Sequence, residues 1–191
     1  WFGSETLGIR PDIMTIAKGL SSGYAPIGGS VVSDEVADTI AGAEFNHGYT
    51  YSGHPVAAAV ALENLRILEE EDIIGHVRDV AAPYLREKWS ALADHPLIGE
   101  ARIAGMMGSV QMTPDKDARA GFAAGPGTAG LICRDRCFAN GLVMRHVGDR
   151  MIISPPLILT PEDIDTLIAR ATTSLDETYA ALKADGLLVA A

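Results

Sequence analysis

Cysteine is scarce in this 191-residue sequence, which contains only Cys133 and Cys137. Two cysteines are too few for the disulfide framework that holds small secreted domains together. The pair lies four residues apart in a helical pattern, without neighbouring Cys or His partners, so it is a weak metal signal. We interpret both side chains as reduced thiols packed in a helix of a cytosolic protein.

Basic residues and long apolar runs are also in short supply. Lys and Arg number 15 against 25 Asp and Glu, which gives a net charge of −10 at pH 7. Nucleic-acid binding needs a basic surface, so this charge balance argues against it. No stretch reaches the 18 apolar residues expected of a membrane-spanning helix, and the first residues lack the pattern of a signal peptide. We therefore expect a cytoplasmic protein with no membrane or nucleic-acid partner.

One lysine, Lys18, lies at the end of an apolar stretch, where a glycine-rich loop begins. Residues 11–20 read PDIMTIAKGL, and residues 21–29 read SSGYAPIGG. A lysine in this position can lose water along its stem while its amine faces an open pocket. Desolvation favours the neutral amine, which is the nucleophilic form. Lys18 is therefore a candidate Schiff-base lysine.

The first 70 residues predict a strand, a loop and a long helix. Residues 28–33 have a β-branched centre that favours a strand, and Ser33 begins a helix with acidic residues in its first turn. Residues 42–54 are aromatic, polar and rich in glycine without any period, which predicts a loop of the kind that carries functional sites. Pro55 opens a helix over residues 56–71, and its Ala- and Val-rich first half predicts burial on all sides.

Beyond residue 70 the patterns predict an α+β unit. The predicted elements are a helix at 76–93, a strand at 101–113, a helix at 128–140, strands at 142–147 and 151–154, and a helix beginning at Thr160. Apolar residues line one side of the first of these helices. Thr160, Pro161 and Asp163 together form a strong helix-start signal, since they supply an N-cap, a proline at N1 and an acid at N3.

Three motifs occur in a fixed order near the start of the chain: PDI…AKG at 11–19, PIG at 26–28 and HGYTYSGHP at 47–55. Together they resemble the class III aminotransferases, which are pyridoxal 5′-phosphate (PLP) enzymes of fold type I. GLVMRHVGD at 141–149, followed by SPPL at 154–157, is similar to the ω-amino acid:pyruvate transaminase branch of that class. The resemblance extends over essentially the whole chain.

The resemblance implies an α/β fold. Residues 1–70 would be the C-terminal part of the large PLP-binding domain, and residues 71–191 would be the small, α+β C-terminal domain. Family members are more than twice as long, so the sequence resembles only their C-terminal part. Their upstream Asp-Glu-Val motif, whose Asp pairs with the pyridine nitrogen of PLP, is not in this sequence. The expectation is a chain that carries the lysine without its electron-sink partner.

The resemblance also implies roles for three residues of the first part. Lys18 would hold PLP as a Schiff base and move a proton between the substrate and the cofactor. The hydroxyl and backbone N–H of Thr50 would bind the PLP phosphate of the partner subunit, and Tyr49 would line the substrate pocket there. From the residues alone, Thr50 also reads as a threonine that caps a turn, and Tyr49 as a packed loop aromatic. These roles imply a homodimer with composite active sites and leave open whether dimers pair into tetramers.

The fourth site residue is Arg145, which lies in an apolar segment where a charge is costly unless it is paired. Alone, it reads as a structural ion pair or as an edge residue whose charged end reaches water. The resemblance implies instead that it clamps the substrate carboxylate and swings aside for amines that lack one. The histidines at 47, 54 and 146 form no metal-binding or nucleophile–base set, so no metal site is predicted.

The resulting prediction is a PLP-dependent ω-transaminase that transfers an amino group from an amine or ω-amino acid to a keto acid such as pyruvate. Another class III member, acting on ornithine, 4-aminobutyrate or diaminopelargonate, stays open as an alternative, as does an aminomutase or decarboxylase relative. A third alternative is a catalytically incomplete fragment that only binds cofactor or partner.

Overall fold

The computed structural model describes residues 1–188 and separates the chain into two compact units, Trp1–Ile74 and Gly75–Ala191. The helices and strands of the first unit are α1 Gly3–Leu7, β1 Ile13–Ile16, β2 Gly29–Val32, α2 Asp34–Ala41 and α3 Pro55–Glu70. A short helix, α4 Ile73–His76, contains the point where the chain passes from the first unit to the second. Within residues 1–188, no helix combines the length and apolar character that a membrane crossing requires.

The first unit begins with an antiparallel strand pair. β1 pairs with β2 in a register that places Ile13 opposite Val32 and Ile16 opposite Gly29. The predicted strand at 28–33 is confirmed. The predicted helix start is confirmed as well, because the Ser33 hydroxyl accepts a hydrogen bond from the backbone N–H of Val36 at the beginning of α2.

The prediction that the long helix is buried on all sides is wrong. In α3 only Ala61 is buried, while Val56 and Leu62 are 64% and 68% exposed. The helix packs mainly against the short 3₁₀ turn at Lys18–Leu20, so the other elements of residues 1–74 leave most of its circumference uncovered. An apolar composition shows that a helix is suited to burial, but whether it is buried depends on which other elements pack against it.

The second unit folds around a four-stranded antiparallel sheet with the order β3-β4-β6-β5. Its elements are α5 Ala82–Ala91, β3 Ile98–Ala104, β4 Met107–Met112, α6 Thr128–Ala139, β5 Arg145–Val147, β6 Arg150–Ile153 and α7 Pro161–Ala184. The single strand predicted at 101–113 is wrong, because that region is a β3–β4 hairpin. Gly105 makes its tight turn possible with a φ of 55°, a left-handed conformation that glycine adopts without strain.

The helix predicted at 76–93 is helical but interrupted. Residues Val77–Ala81 form a π-helical turn before α5 begins, and Leu92–Asp94 form a 3₁₀ turn after it ends. Pro83 explains the first irregularity, since it has no N–H to donate to the carbonyl four residues earlier and its ring crowds that carbonyl. The capping box predicted at the start of α7 is confirmed, with Thr160 and Asp163 bonded reciprocally.

The hydrophobic core belongs to the second unit. Its largest fully buried apolar side chains come from α5, from the turn just before β3, from the sheet and from α7: Trp89, Leu85, Leu97, Ile98, Met112, Met151, Ile164 and Leu182. The indole N–H of Trp89 donates to the carbonyl of Ser109 over 3.3 Å, which satisfies the one polar group of this buried ring. In contrast, residues 1–74 bury only Ser21, Ala61 and Ile73.

Both cysteines lie in this core, as predicted for packed thiols. Cys133 and Cys137 are free and buried on one side of α6, and the Cys137 thiol lies 3.9 Å from the sulfur of Met144. The hydrogen bond with Cys137, together with burial, raises the pKa of the Cys133 thiol well above its ordinary value. Because the thiolate is the reactive form, Cys133 is expected to be inert in the folded protein.

We expect the Cys133 and Cys137 peptides to resist alkylation by a thiol reagent such as iodoacetamide in the native protein and to react fully in denaturant. Burial opposes attack by both native thiols, and the raised pKa of Cys133 opposes it further at that residue. The hydrogen bond with Cys133 lowers the pKa of Cys137, so the protection of Cys137 depends on burial. The measurement is mass spectrometry of the labelled peptides before and after unfolding. Rapid native labelling of Cys133 would contradict the packing described above.

The β5–β6 turn anchors the start of α6 through a buried carboxylate. The Asp149 side chain is 8% exposed and accepts hydrogen bonds from the backbone N–H groups of Gly127, Ala129 and Gly130 at 2.9–3.1 Å. The first N–H groups of a helix have no partner inside it, so this carboxylate supplies one and also complements the helix dipole. Gly130 is needed for this close approach, because a Cβ there would lie 2.0 Å from the carbonyl oxygen of Gly148.

Replacement of Asp149 by alanine should therefore lower the free energy of unfolding by about 2–4 kcal/mol, since three helix N–H groups would lose a charged acceptor. Chemical denaturation of the full-length protein measures the loss. The matched control is Asp135→Ala on the exposed side of the same helix, where the carboxylate pairs only with neighbouring Arg134. Equal stability of the two variants would show that Asp149 does not anchor α6.

Candidate active site

Lys18 occupies a strained turn directly after β1. It begins a 3₁₀ turn, Lys18–Leu20, and has a φ of 50°, which is rare for a residue with a side chain. Ser22, four residues later, has a φ of 48°. Conformations of this kind cost about 1–3 kcal/mol each and persist where the surroundings impose them, often at functional sites.

The Lys18 side chain is exposed within the described chain. Its amine forms no hydrogen bond or ion pair with any part of residues 1–188. The backbone around it is well tied, since the N–H of Leu20 donates to the carbonyl of Ala17 and the N–H of Ser21 donates to the carbonyl of Lys18. The turn thus presents a free primary amine on a fixed backbone. Sequence reasoning expected partial desolvation of the stem, and this chain by itself does not provide it.

One residue that was not among the predicted site residues holds this turn. The amide nitrogen of Asn64, on α3, donates to the carbonyls of Gly19 at 2.9 Å and Leu20 at 3.2 Å. Its amide oxygen accepts from the hydroxyl of Ser22 at 2.6 Å. The sequence signal for this role is slight: Asn64 is an uncharged polar residue within an Ala-, Val- and Leu-rich stretch, 46 positions after Lys18 in the sequence.

The predicted loop at 42–54 is confirmed, and it contains a short aromatic stack. The ring of Phe45 stacks on that of His47 with centroids 5.2 Å apart, and His47 contacts Tyr49 edge-on at 4.8 Å. Tyr49 is 74% exposed in this chain. His47 therefore packs between two aromatic rings of the loop. Residues 1–188 contain no group of three potential metal ligands.

Thr50 follows the stack and is also exposed. Neither its hydroxyl nor its backbone N–H has a hydrogen-bond partner within the part of the chain that the structure describes. The turn that follows is closed by other groups, with Ser52 donating to Tyr49 and His54 donating to Tyr51. Thr50 thus offers two adjacent donors, which is an arrangement suited to a phosphate oxygen.

A groove of about 610 Å³ lies between the PIG motif and the end of the same loop. It is lined by Pro26, Ile27 and Gly28 on one side and by Tyr49, Tyr51 and His54 on the other. Neither Lys18 nor Thr50 lines this groove. The first unit therefore brings Tyr49 to an apolar surface, while Lys18 and Thr50 each present polar groups to the outside.

Arg145 begins β5, the edge strand of the second unit, where its backbone pairs with Ile152 of β6. Its side chain is exposed and forms no ion pair within the described residues. A structural ion pair, the simplest alternative from sequence, is thus not seen among residues 1–188. Nearby, Arg150 does have partners, since it donates to Gln111 at 3.1 Å and to Glu100 at 3.4 Å.

The family model for aminotransferase class III matches residues 1–175. The chain belongs to the class III aminotransferase family. It is 56% identical over 185 residues to the putrescine–pyruvate aminotransferase of Pseudomonas aeruginosa, covering 96% of this chain and 40% of that protein. It is 42% identical over 182 residues to the chloroplastic gamma aminobutyrate transaminase 3 of Solanum lycopersicum, covering 93% of this chain and 35% of that protein.

A solved structure supports the predicted fold class. The omega transaminase from Pseudomonas jessenii in complex with PMP superposes with a TM-score of 0.89 at 39% identity, over 95% of this chain and 41% of that chain. The predicted membership in a PLP-transaminase fold is therefore confirmed. The chain spans about 40% of the length of the relatives that it matches.

Proposed function

We propose that the protein carrying this chain is a PLP-dependent aminotransferase that moves an amino group from an amine donor to a keto acid such as pyruvate. The proposal rests on Lys18, whose amine has no hydrogen-bond or ion-pair partner among residues 1–188 and whose left-handed turn lies inside the AKG motif of a class III aminotransferase chain. Bound PLP supplies an electron sink for the carbon from which the amino group is transferred.

The residues present suit this cofactor. An aldehyde needs a primary amine that is not already engaged, and Lys18 offers one. A phosphate needs convergent donors, and Thr50 offers a hydroxyl and an N–H that the described residues leave unused. By family resemblance, the two belong to different sites of a homodimer, with Thr50 reaching the cofactor that the other subunit holds. Residues 1–70 would then close the large domain, and residues 71–191 would form the small domain.

Lys18 would have two tasks in turnover. It would hold the cofactor covalently through its amine, and the same amine, once substrate has displaced it, would carry a proton between the substrate carbon and the cofactor. Both tasks require that the amine reach the same small volume in every cycle. A turn with a fixed backbone suits this requirement better than a mobile loop would.

Arg145 would select between the two substrates. A guanidinium binds a carboxylate through two parallel hydrogen bonds, which suits a keto acid or an ω-amino acid. A diamine has no carboxylate, so it would bind with Arg145 turned away. Its side chain, which is exposed and forms no ion pair with the part of the chain that the structure describes, can take either position. Tyr49 would form part of the apolar wall for the carbon chain of the substrate.

The donor class that fits best is a short aliphatic diamine such as putrescine, with pyruvate as acceptor, since the 56% identical relative is a putrescine–pyruvate aminotransferase. 4-Aminobutyrate is the second candidate, favoured by the 42% identical gamma aminobutyrate transaminase. A substrate panel on the full-length protein tests both, with putrescine or 4-aminobutyrate as donor and pyruvate or 2-oxoglutarate as acceptor. Faster turnover with 2-oxoglutarate than with pyruvate would exclude the proposed branch.

We expect replacement of Thr50 by valine to weaken PLP binding by about 10- to 100-fold, because a charge-assisted hydrogen bond to the phosphate is lost. The dissociation constant, measured by titrating the cofactor-free full-length protein, reports the change. Thr39→Val on α2 is the matched control, since the Thr39 hydroxyl bonds only the carbonyl of Glu35 in its own helix. Equal affinity of the two variants for PLP would remove Thr50 from the phosphate site.

The proposed assembly is a cytoplasmic homodimer with composite active sites, without nucleic-acid or membrane partners. Complementation tests the composite site directly. At a PLP concentration too low to load Thr50→Val alone, a mixture of Lys18→Ala and Thr50→Val subunits should be more active than the two variants measured separately, because one of the two sites in each heterodimer then has both residues intact. Activity of the mixture no greater than the sum of the separate variants would argue against shared sites.

A further inference from the structure

We infer that Asn64 is a positioning residue for Lys18: its side-chain amide holds the Lys18–Ser22 turn in the conformation that presents the lysine amine. The inference rests on the proposed function, because it concerns the residue that would attach the cofactor. It adds a residue from α3 to the turn that carries Lys18.

The geometry supports it through three hydrogen bonds that use both ends of one amide. Two carbonyls, those of Gly19 and Leu20, accept from the Asn64 nitrogen, and one hydroxyl, that of Ser22, donates to its oxygen. Carbonyls can only accept, so the amide orientation is fixed by its partners. The contacts link residues 42 to 45 positions apart, so they tie the turn to a helix rather than closing it locally.

The need for such a clamp lies in the backbone. Lys18 and Ser22 both have positive φ, and neither is glycine, so the turn between them is strained. The two carbonyls that Asn64 binds lie between those two strained residues. The clamp therefore acts where the turn would otherwise relax toward ordinary backbone angles. Relaxation at Lys18 would redirect its side chain, because φ sets the direction in which Cβ leaves the backbone.

The substitution that tests the clamp is Asn64→Asp. It keeps the size of the side chain and an acceptor for Ser22, but it places a carboxylate against two carbonyl oxygens in place of the donating nitrogen. Asn64→Gln retains the donor and serves as the conservative variant. The matched control is Glu69→Gln, an exposed acid-to-amide change on the same helix without a contact to the turn.

The first readout is the rate at which cofactor-free full-length protein captures PLP on Lys18. Samples are quenched with borohydride at timed intervals, and the pyridoxyl label on the Lys18 peptide is counted by mass spectrometry. Since misplacement by about 1 Å can cost 100-fold in rate, we expect a 10- to 100-fold slower capture in Asn64→Asp. Asn64→Gln should capture PLP at a large part of the rate of the unaltered protein, and Glu69→Gln should capture it at the full rate.

The second readout is independent of the cofactor. Amide hydrogen exchange at Leu20 and Ser21, whose N–H groups close the turn, should accelerate in Asn64→Asp while exchange in β1 stays unchanged. Both measurements are made where circular dichroism shows every variant folded. If Asn64→Asp does not fold, Ser22→Ala removes one of the three hydrogen bonds and should give a smaller effect in the same direction.

Two outcomes separate the inference from the proposed function. If the unaltered protein captures PLP on Lys18 and Asn64→Asp does so at the same rate with the same exchange, Asn64 does not position the lysine. If the unaltered protein carries no label on Lys18, the proposed function is wrong and the positioning role falls with it. The exchange data would then show only whether Asn64 holds the turn.

Discussion

Replacing Lys18 with alanine should reduce transamination by the full-length protein about 10⁴-fold, the upper end of the range associated with loss of a positioned proton-transfer group. The effect is large because the residue would both attach the cofactor and move the proton at the substrate carbon. Initial rates with putrescine and pyruvate measure it. The variant should remain folded, since Lys18 is exposed and its side chain makes no hydrogen bond or ion pair within residues 1–188.

Lys18→Arg tests whether the site needs the chemistry of the amine or only its positive charge. Arginine keeps the positive charge and the approximate length, but its guanidinium stays protonated and cannot act as a nucleophile or a base. Activity should therefore be as low as in Lys18→Ala. The control is Lys116→Ala, an exposed lysine whose amine donates only to the carbonyl of Ala93. Substantial activity in Lys18→Arg would show that the positive charge, and not the amine chemistry, is what the site needs.

Replacing Arg145 with leucine should separate the two halves of the reaction. The half-reaction with pyruvate should lose about 10- to 100-fold in kcat/KM, because a charge-assisted pair of hydrogen bonds to the carboxylate disappears. The half-reaction with putrescine, which has no carboxylate, should change little. Single-turnover measurements of the two half-reactions report these values separately.

Arg102→Leu is the matched control for this variant. Arg102 is an exposed arginine on another strand of the same sheet, and it pairs with Glu100 over 2.7 Å. Its loss should leave both half-reactions unchanged. If Arg145→Leu impaired putrescine and pyruvate equally, Arg145 would have a structural role, and the carboxylate clamp would be wrong.

Signals confined to a few neighbouring residues predicted structure well in this chain. The start of α7 depends on Thr160, Pro161 and Asp163, which lie within four positions; Thr160 and Asp163 cap each other, and Pro161 occupies the first helical position. The start of α2 at Ser33 and the loop at 42–54 were predicted on the same basis. Such contacts are local, so the sequence alone contains what decides them.

Features that depend on distant partners were missed or misjudged. The hairpin at Ile98–Ala104 and Met107–Met112 reads as one strand, since Gly105 suits a bulge as well as a turn. The apolar composition of α3 predicts burial, yet the elements available in residues 1–74 cover little of it. Asn64 contacts a turn more than 40 positions away, and no local pattern indicates that.

In the candidate site, too, the sequence predicts residue identities but not the contacts made with distant parts of the chain. The motifs around Lys18, Thr50 and Arg145 single these residues out as candidates, because a family resemblance preserves residue type in order. They do not predict the left-handed φ of Lys18, the carbonyls that Asn64 binds or the Thr50 donors that residues 1–188 leave unused, which are properties of the folded chain. How Lys18 and Thr50 act together stays a prediction for the assembled protein.

Locating the covalently bound cofactor tests most directly whether Lys18 is the residue that attaches PLP. The full-length protein is reconstituted with PLP and reduced with borohydride, and its peptides are then sequenced by mass spectrometry. We expect one pyridoxyl group per subunit, on Lys18 within the AKG motif, and none in Lys18→Ala. A pyridoxyl group found at full occupancy on another lysine, with Lys18 unmodified, would contradict it.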